Sequence, residues 1–295
     1  MRHRLVVAVP LALALALAGC SSPDDKGDPT PSPTGSSAAP SAVPSPTTAM
    51  EKVPAGVKVP LVRTGQLTVC QWGGGLPYLG EEQGGSKAKG FDVELLTLVG
   101  ERLGVVPLIV ETDRTDIAAA EALGRKNCDL SAGKFFALPE DDPEQLPIDY
   151  TVPYFRRTTA ILTSDQSLTS LESLRGKRVA TDSTSLLPDE VAAAGVQVTE
   201  FDAQAIPAAL NAGQFDAAIV DSGLARYAQH EDQTGSLLVT DEFGEPGDVV
   251  FAVAKGNTVL REQVNAALAD AGRNGHFRYA YDQWFAGEPA LVPRS

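Results

Sequence analysis

Ala122-Leu123-Gly-Arg-Lys-Asn-Cys128-Asp129-Leu130 and, further along, Ala209-Leu210-Asn-Ala-Gly-Gln-Phe215-Asp216-Ala217 are one short passage written twice. In each, an alanine-rich helical run ends on Ala-Leu, and an aspartate six residues after the leucine opens an apolar stretch. The stretch is Asp129-Leu-Ser-Ala-Gly133 in the first copy and Asp216-Ala-Ala-Ile-Val-Asp221 in the second. Two similar βαβ units about ninety residues apart imply an α/β chain built as two lobes on one plan.

Outward from these passages, strand and helix signals alternate. Gln66-Leu-Thr-Val-Cys-Gln71 is a β-branched run closed by Gly73-Gly74-Gly75, and Gly84-Gly85 has the composition of a hairpin tip. Phe91, Leu95, Leu98 and Val99 recur at helical spacing up to Gly104, and Val105 to Glu111 reads as the next strand. Tyr154 to Thr163 is an extended crossover, Leu168 to Leu174 a short helix, and Lys177-Arg-Val-Ala180 the strand opening the second unit. Val249 to Ala254 is a second extended run, followed by an amphipathic helix over Leu260 to Ala271 and a last segment from Phe277 to Phe285. A chain that crosses near residue 158 and returns near residue 252 joins its lobes twice, which permits hinge closure. The expected lobes are residues 57–157 with 252–292, and residues 158–251.

At the N-terminus, Arg2, His3 and Arg4 precede an apolar run that ends at Leu17-Ala18-Gly19-Cys20. The run is short for a bilayer span, so residues 1–19 read as a signal peptide, with an uncleaved anchor helix as the alternative. Small residues before a cysteine resemble the lipobox of bacterial lipoproteins, which makes Cys20 the lipidation site. Residues 20–56 are rich in Ser, Pro, Thr, Gly and Ala and poor in large apolar side chains. Such a segment cannot offset its ordering entropy and is expected to be a disordered tether.

The formal net charge of −14 becomes about −16 without Arg2 and Arg4, which disfavours a nucleic-acid partner. Cys70 and Cys128 remain after lipidation, and an exported protein could join them in a disulfide or keep two buried thiols. His3, His230 and His276 are too scattered for a metal cluster, and no metal or cofactor is expected. No Cys-x-x-Cys, His-x-x-x-His or Gly-x-Ser-x-Gly occurs to support a metal or serine-hydrolase site.

Six stretches resemble, in order and spacing, the solute-binding proteins of ABC importers for polar amino acids. They are Lys89-Gly-Phe-Asp-Val-Glu-Leu95, the first echo itself, Asp149-Tyr-Thr-Val-Pro-Tyr-Phe155, Leu171-Glu-Ser-Leu-Arg-Gly-Lys-Arg-Val179, Phe215-Asp-Ala-Ala-Ile-Val-Asp221 and Tyr281-Asp-Gln-Trp-Phe285. The resemblance implies the two-lobed type II periplasmic-binding-protein fold with two hinge crossovers. It also implies a small polar ligand (an amino acid or related zwitterion or cation), an ABC permease partner, no cofactor, and a monomeric body lipid-anchored outside the cell membrane. Phe91, Tyr154, Phe155, Trp284 and Phe285 are read as ordinary core.

Departures from the family pattern fall at the ligand site. Family members hold the ligand carboxylate with an arginine after a segment reading approximately Ala-Gly-Met-Thr-Ile-Thr-Pro-Glu. Aligned on Pro139-Glu140, this chain has Phe136 and Leu138 for the two hydroxyls and Asp141 for the arginine. Lys134 is then the nearest candidate cation, offering a point charge. Trp72 and Gly75 stand where a small polar residue and an aromatic platform are common. Trp72, Phe135 and Phe136 could form a cation-binding wall, although Phe136 and Leu138 could equally fill a core. Asp221, which the resemblance assigns to a ligand ammonium, is retained. So is the turn Asp182-Ser183-Thr184-Ser185, whose backbone N–H groups could bind an anion at a helix N-terminus.

Capture of a solute for import is the leading function, and no catalytic residue is assigned. A ligand-sensing or partner-binding lipoprotein on the same fold is the alternative. An exported dehydratase using Glu140, Asp141 or Asp142 is a third, set against the usual reading of an acidic run as solvated loop.

Overall fold

The computed structural model describes residues 45–71, 75–81, 88–112, 116–137, 146–185 and 187–294. The first half of the chain holds β1 (Gln66–Gln71), β2 (Gly80–Glu81), β3 (Ala88–Lys89), α1 (Phe91–Leu103), β4 (Val106–Glu111), α2 (Asp116–Gly124), β5 (Leu130–Phe136), β6 (Ile148–Tyr150) and β7 (Phe155–Thr163). The second holds β8 (Val179–Thr181), α3 (Asp189–Ala193), β9 (Val198–Glu200), α4 (Ile206–Asn211), β10 (Ala217–Asp221), α5 (Ser222–Glu231), β11 (Leu238–Ala254), α6 (Thr258–Asn274) and α7 (His276–Asp282). A 3-10 turn at Leu171–Leu174 stands where the short helix is expected.

The main sheet runs β4-β1-β5-β11-β7-β10-β8-β9, with β6 against β11. On one side β4, β1 and β5 are parallel and β11 closes them antiparallel; on the other β9, β8 and β10 are parallel and β7 closes them antiparallel. Each half thus places its first parallel strand in the middle and ends on an antiparallel strand.

The repeated aspartates explain why the halves share a sequence passage. Asp129 N–H donates to Thr68 O at 2.8 Å, while its Oδ2 accepts Thr68 N–H at 2.8 Å and its Oδ1 accepts Val62 N–H at 2.6 Å. Asp216 N–H likewise donates to Arg178 O at 2.8 Å, and its Oδ2 accepts Arg178 N–H at 2.8 Å. In both lobes the aspartate closes a two-point contact with the start of the neighbouring parallel strand. It supplies an acceptor that parallel pairing leaves missing there and fixes register. The environments differ: burial pushes the Asp129 carboxyl up, while the Arg178 side chain holds that of Asp216 down.

Helices cover both sheet faces and give four apolar clusters. Two draw their buried residues from before Arg156 and after Asp248, built around Phe91, Tyr154 and Phe251 on one face and Cys70, Phe135 and Ile148 on the other. The other two lie between Ala160 and Phe243. Cluster membership changes on β7 between Phe155 and Ala160 and on β11 between Phe243 and Val249. The pairing of β11 with β7 shifts register there, between Phe243 and Gly247. Gly244 has φ of 81° and Pro246 has no N–H to offer a ladder, so these residues bulge rather than pair.

Three particulars differ from expectation or complete it. β11 has 17 residues rather than the short run from Val249. The end of the expected tether is folded: Met50 is buried, Glu51 N–H donates to Asp270 Oδ2 at 2.8 Å, and Val53 N–H donates to Arg102 O at 3.2 Å. One buried apolar side chain together with a few backbone hydrogen bonds docks it, which an average over composition conceals. The rest of the tether with Cys20, up to residue 44, lies outside the described residues. Cys70 and Cys128 are joined in a disulfide with Cα atoms 5.7 Å apart, buried beside β5. Among the described residues no helix is long and apolar enough to cross a membrane.

Reduction of a bridge with a sequence separation of 58 should destabilise the protein by about 4 kcal/mol, read as a lowered urea midpoint. Asp216, whose carboxyl is held below its ordinary 3.8, contributes stability that is present above that value and lost as pH falls through the lower folded value. Asp216→Ala should therefore destabilise at pH 7, and its deficit relative to wild type should shrink in unfolding curves taken below about pH 3.8.

Candidate ligand-binding site

Asp221 is the last residue of β10, a strand buried along its whole length, and the N-cap of α5. Its Oδ1 accepts Gly223 N–H at 2.9 Å and Leu224 N–H at 3.2 Å, which satisfies two donors that a helix start leaves free. The same oxygen accepts the Tyr78 hydroxyl at 3.1 Å, from the other lobe. Burial, reinforced by the charge of Asp221, pushes the Tyr78 hydroxyl well above its ordinary value, so it remains a donor at neutral pH.

Two glycines make that contact possible. A Cβ on Gly90, whose φ is 136°, would lie 2.1 Å from Tyr78 O, where the turn carrying Tyr78 docks on the start of α1. A Cβ on Gly223 would lie 2.1 Å from the Tyr78 hydroxyl oxygen. The hydroxyl reaches the carboxylate only because the second residue of α5, Gly223, has no side chain.

The other oxygen of Asp221 lies 3.0 Å from Arg157 Nη1. Asp221 and Arg157 side chains are 1% and 12% exposed, so this is a desolvated ion pair. The oxygen receives no aligned N–H among the described residues, which makes the contact ionic rather than a directed hydrogen bond. The guanidinium carbon stands 4.1 Å from the centre of the Phe136 ring, an arrangement that stabilises a cation. Arg156, the preceding residue, points to the other side of β7 and pairs with Asp248 at 2.8 Å in solvent.

Asp221 and Arg157 line one cavity of about 360 Å³, together with Thr158, Thr159, Leu187, Pro188, Asp189, Glu245 and Gly247. That volume falls within the ordinary range of small-molecule sites. The cavity lies against the bulge between Phe243 and Gly247, where the β7–β11 ladder is interrupted.

The hydroxyl turn is split between two environments. Ser185 Oγ donates to Asp182 and accepts Asp221 N–H at 2.9 Å, so it braces the carboxylate-bearing residue from behind. Ser183 and Thr184 line a separate cavity with Glu200, Phe201 and Asp202. Thr184 N–H donates to Asp182 Oδ1 at 2.8 Å, so this turn carries its own anion, and the nearest helix, α3, starts four residues beyond Ser185. Phe135, taken as a ligand contact from sequence, is a core side chain at 1% exposure. Neighbouring residues on a strand face opposite ways, so Phe136 and Phe135 cannot share a wall. Lys134 sits on β5, with its side chain outside the described residues, as are Trp72, Leu138, Glu140, Asp141 and Asp142. Phe91, Tyr154, Phe155 and Phe285 are buried together in one cluster, with Trp284 packed against it.

Sequence reading missed Tyr78 and Arg157. The available signal for Arg157 was parity: in an extended Phe155-Arg156-Arg157, with Phe155 in the core, alternate residues face opposite sides, so the two arginines had to diverge.

Comparison with known proteins agrees with this architecture. The chain is 28% identical over 228 residues to a probable amino-acid ABC transporter-binding protein of Haemophilus influenzae, covering 76% of this chain and 86% of that one. It is 26% identical over 225 residues to the L-cystine-binding protein TcyA of Bacillus subtilis, covering 76% and 82%. Among solved structures, it matches a polar amino acid ABC uptake transporter substrate-binding protein from Streptococcus thermophilus at 20% identity with a TM-score of 0.64, over 78% and 89% of the two chains, a likeness of fold. An ancestral cationic amino acid solute-binding protein matches at 25% identity with a TM-score of 0.64, over 76% and 97%. With the family model matching residues 70–287, from the end of β1 to beyond α7, the chain belongs to the bacterial extracellular solute-binding proteins, family 3.

Proposed function

We propose that this chain is a lipoprotein, anchored through Cys20, that captures an amino acid between its lobes and hands it to an ABC permease without chemical change. The observation that carries the ligand reading is the Asp221 carboxylate: buried, fixed by α5 and Tyr78, and bordering a cavity with one oxygen that lacks an aligned donor among the described residues. A buried acceptor in that condition favours a cationic donor from a bound molecule. The names of the relatives, which include amino-acid and L-cystine binders, support the same class of ligand. Phe136, behind Arg157, and Ser185, behind Asp221, act as supports, with Trp72 and Lys134 as further candidate contacts at the cleft, whereas Ser183 and Thr184 border a separate cavity.

Closure would follow from the ligand bridging groups on both lobes, since binding favours whichever arrangement gives it more contacts. The lipobox reading of Leu17-Ala18-Gly19-Cys20 supports anchoring on the extracytoplasmic side.

Calorimetry of the mature protein against the common amino acids and L-cystine should find at least one binder. Asp221→Asn keeps the helix cap but loses the charge, and should weaken that binder by about 2–5 kcal/mol. A loss under about 0.5 kcal/mol would remove Asp221 from the site. Cys20→Ala should move the protein from the membrane fraction to the medium or periplasm, and continued membrane association would rule out lipidation there.

A further inference from the structure

The lining of the cavity is unbalanced in charge. Among the described residues, Asp189, Asp221 and Glu245 contribute three carboxylates against the single guanidinium of Arg157. By charge alone such a cavity is a general trap for amines. Arg157 is what stands in the way, because it lies against the one oxygen that an incoming ammonium would use.

We propose that Arg157 is the site's own resident cation and its specificity determinant: it neutralises Asp221 when no solute is bound, and turns to a solute's carboxylate when the solute's ammonium takes Asp221. The proposal rests on reading the chain as an amino-acid-binding protein, and it names the residue that meets the solute's carboxylate and excludes plain amines.

The reason is the cost of leaving a desolvated charge without a partner. Both members of the pair are largely withdrawn from water, so separating them for the sake of one strands the other. A plain amine would satisfy Asp221 and strand Arg157. A plain carboxylate would do the reverse. A zwitterion exchanges one internal ion pair for two external ones and leaves neither charge alone. The contact is suited to exchange, since no aligned hydrogen bond holds Arg157 to Asp221. Phe136 keeps the guanidinium close throughout, because attraction to a ring face does not depend on which anion the N–H groups meet.

The test compares each amino acid with its own decarboxylated amine, by calorimetry on the mature protein: L-glutamine with 4-aminobutanamide, and L-cystine with cystamine. Wild type should prefer the amino acid by at least about 100-fold. Arg157→Met, which keeps the stem over Phe136 but not the charge, should bring the preference within about 10-fold, with the amine binding more tightly than before. Arg157→Lys should retain a preference for the amino acid. An unchanged ratio in Arg157→Met overturns the proposal.

A second probe needs no amino acid. Methylguanidinium should raise the melting temperature of Arg157→Gly saturably and leave wild type unmoved, by refilling the place beside Asp221. If it does so while no amino acid binds wild type, the resident cation stands and the solute reading falls. If it shifts both proteins alike, or neither, the resident cation falls whatever amino acid binds.

Discussion

The antiparallel pair formed by β7 and β11 is the constraint on which the rest of the molecule depends. Each strand closes one half-sheet, and each also pairs with the other, so the two halves share main-chain hydrogen bonds rather than merely touching. Buried backbone groups do not give up such bonds without large cost. The ladder shifts register twice, between Val239 and Asp241 and, more widely, between Phe243 and Gly247. The cavity lies at the wider interruption, so a break in the backbone pairing borders the point of ligand access.

Around that pivot, the chain holds a carboxylate in a place where an isolated charge would be expelled. Asp221 stays because α5 offers it two N–H groups, Tyr78 a hydroxyl and Arg157 a positive charge. Only the first of these belongs to its own local structure. The hydroxyl arrives from the other lobe through space left by Gly90 and Gly223, and the charge arrives from the crossover strand. The site is thus assembled from three separate parts of the fold, and none of them alone would hold an anion there.

Much of this was legible in the sequence because it was local. The Ala-Leu to Asp passages marked the third parallel strand of each half, since an aspartate at that point serves the neighbouring strand in the same way twice. Asp221 was singled out by the family resemblance, and the apolar strand before it marks its place at a strand end. What escaped was decided by distant partners. The first part of β11, Asp241-Glu242-Phe243-Gly244-Glu245-Pro246-Gly247, has the composition of a loop, and only its pairing with β7 makes it a strand. Arg157 and Arg156 look alike in sequence, and their separation into buried and exposed members depends on which side of β7 the core occupies. Tyr78 sits in a turn, and nothing nearby in the chain reveals that it crosses to α5.

The docking of Met50 and its neighbours decides which lobe receives the N-terminal segment. Thr48, Glu51 and Val53 are bonded to His276, Asp270 and Arg102, on α7, α6 and α1, which all belong to the lobe containing β1. Were the preceding chain anchored as proposed, a pull on it would enter through α1, α6 and α7. It would pass to the lobe containing β8 to β10 through the β7–β11 pair and through contacts of α5 with the end of α7, such as His230 Nε2 at 3.1 Å from Asp282 O.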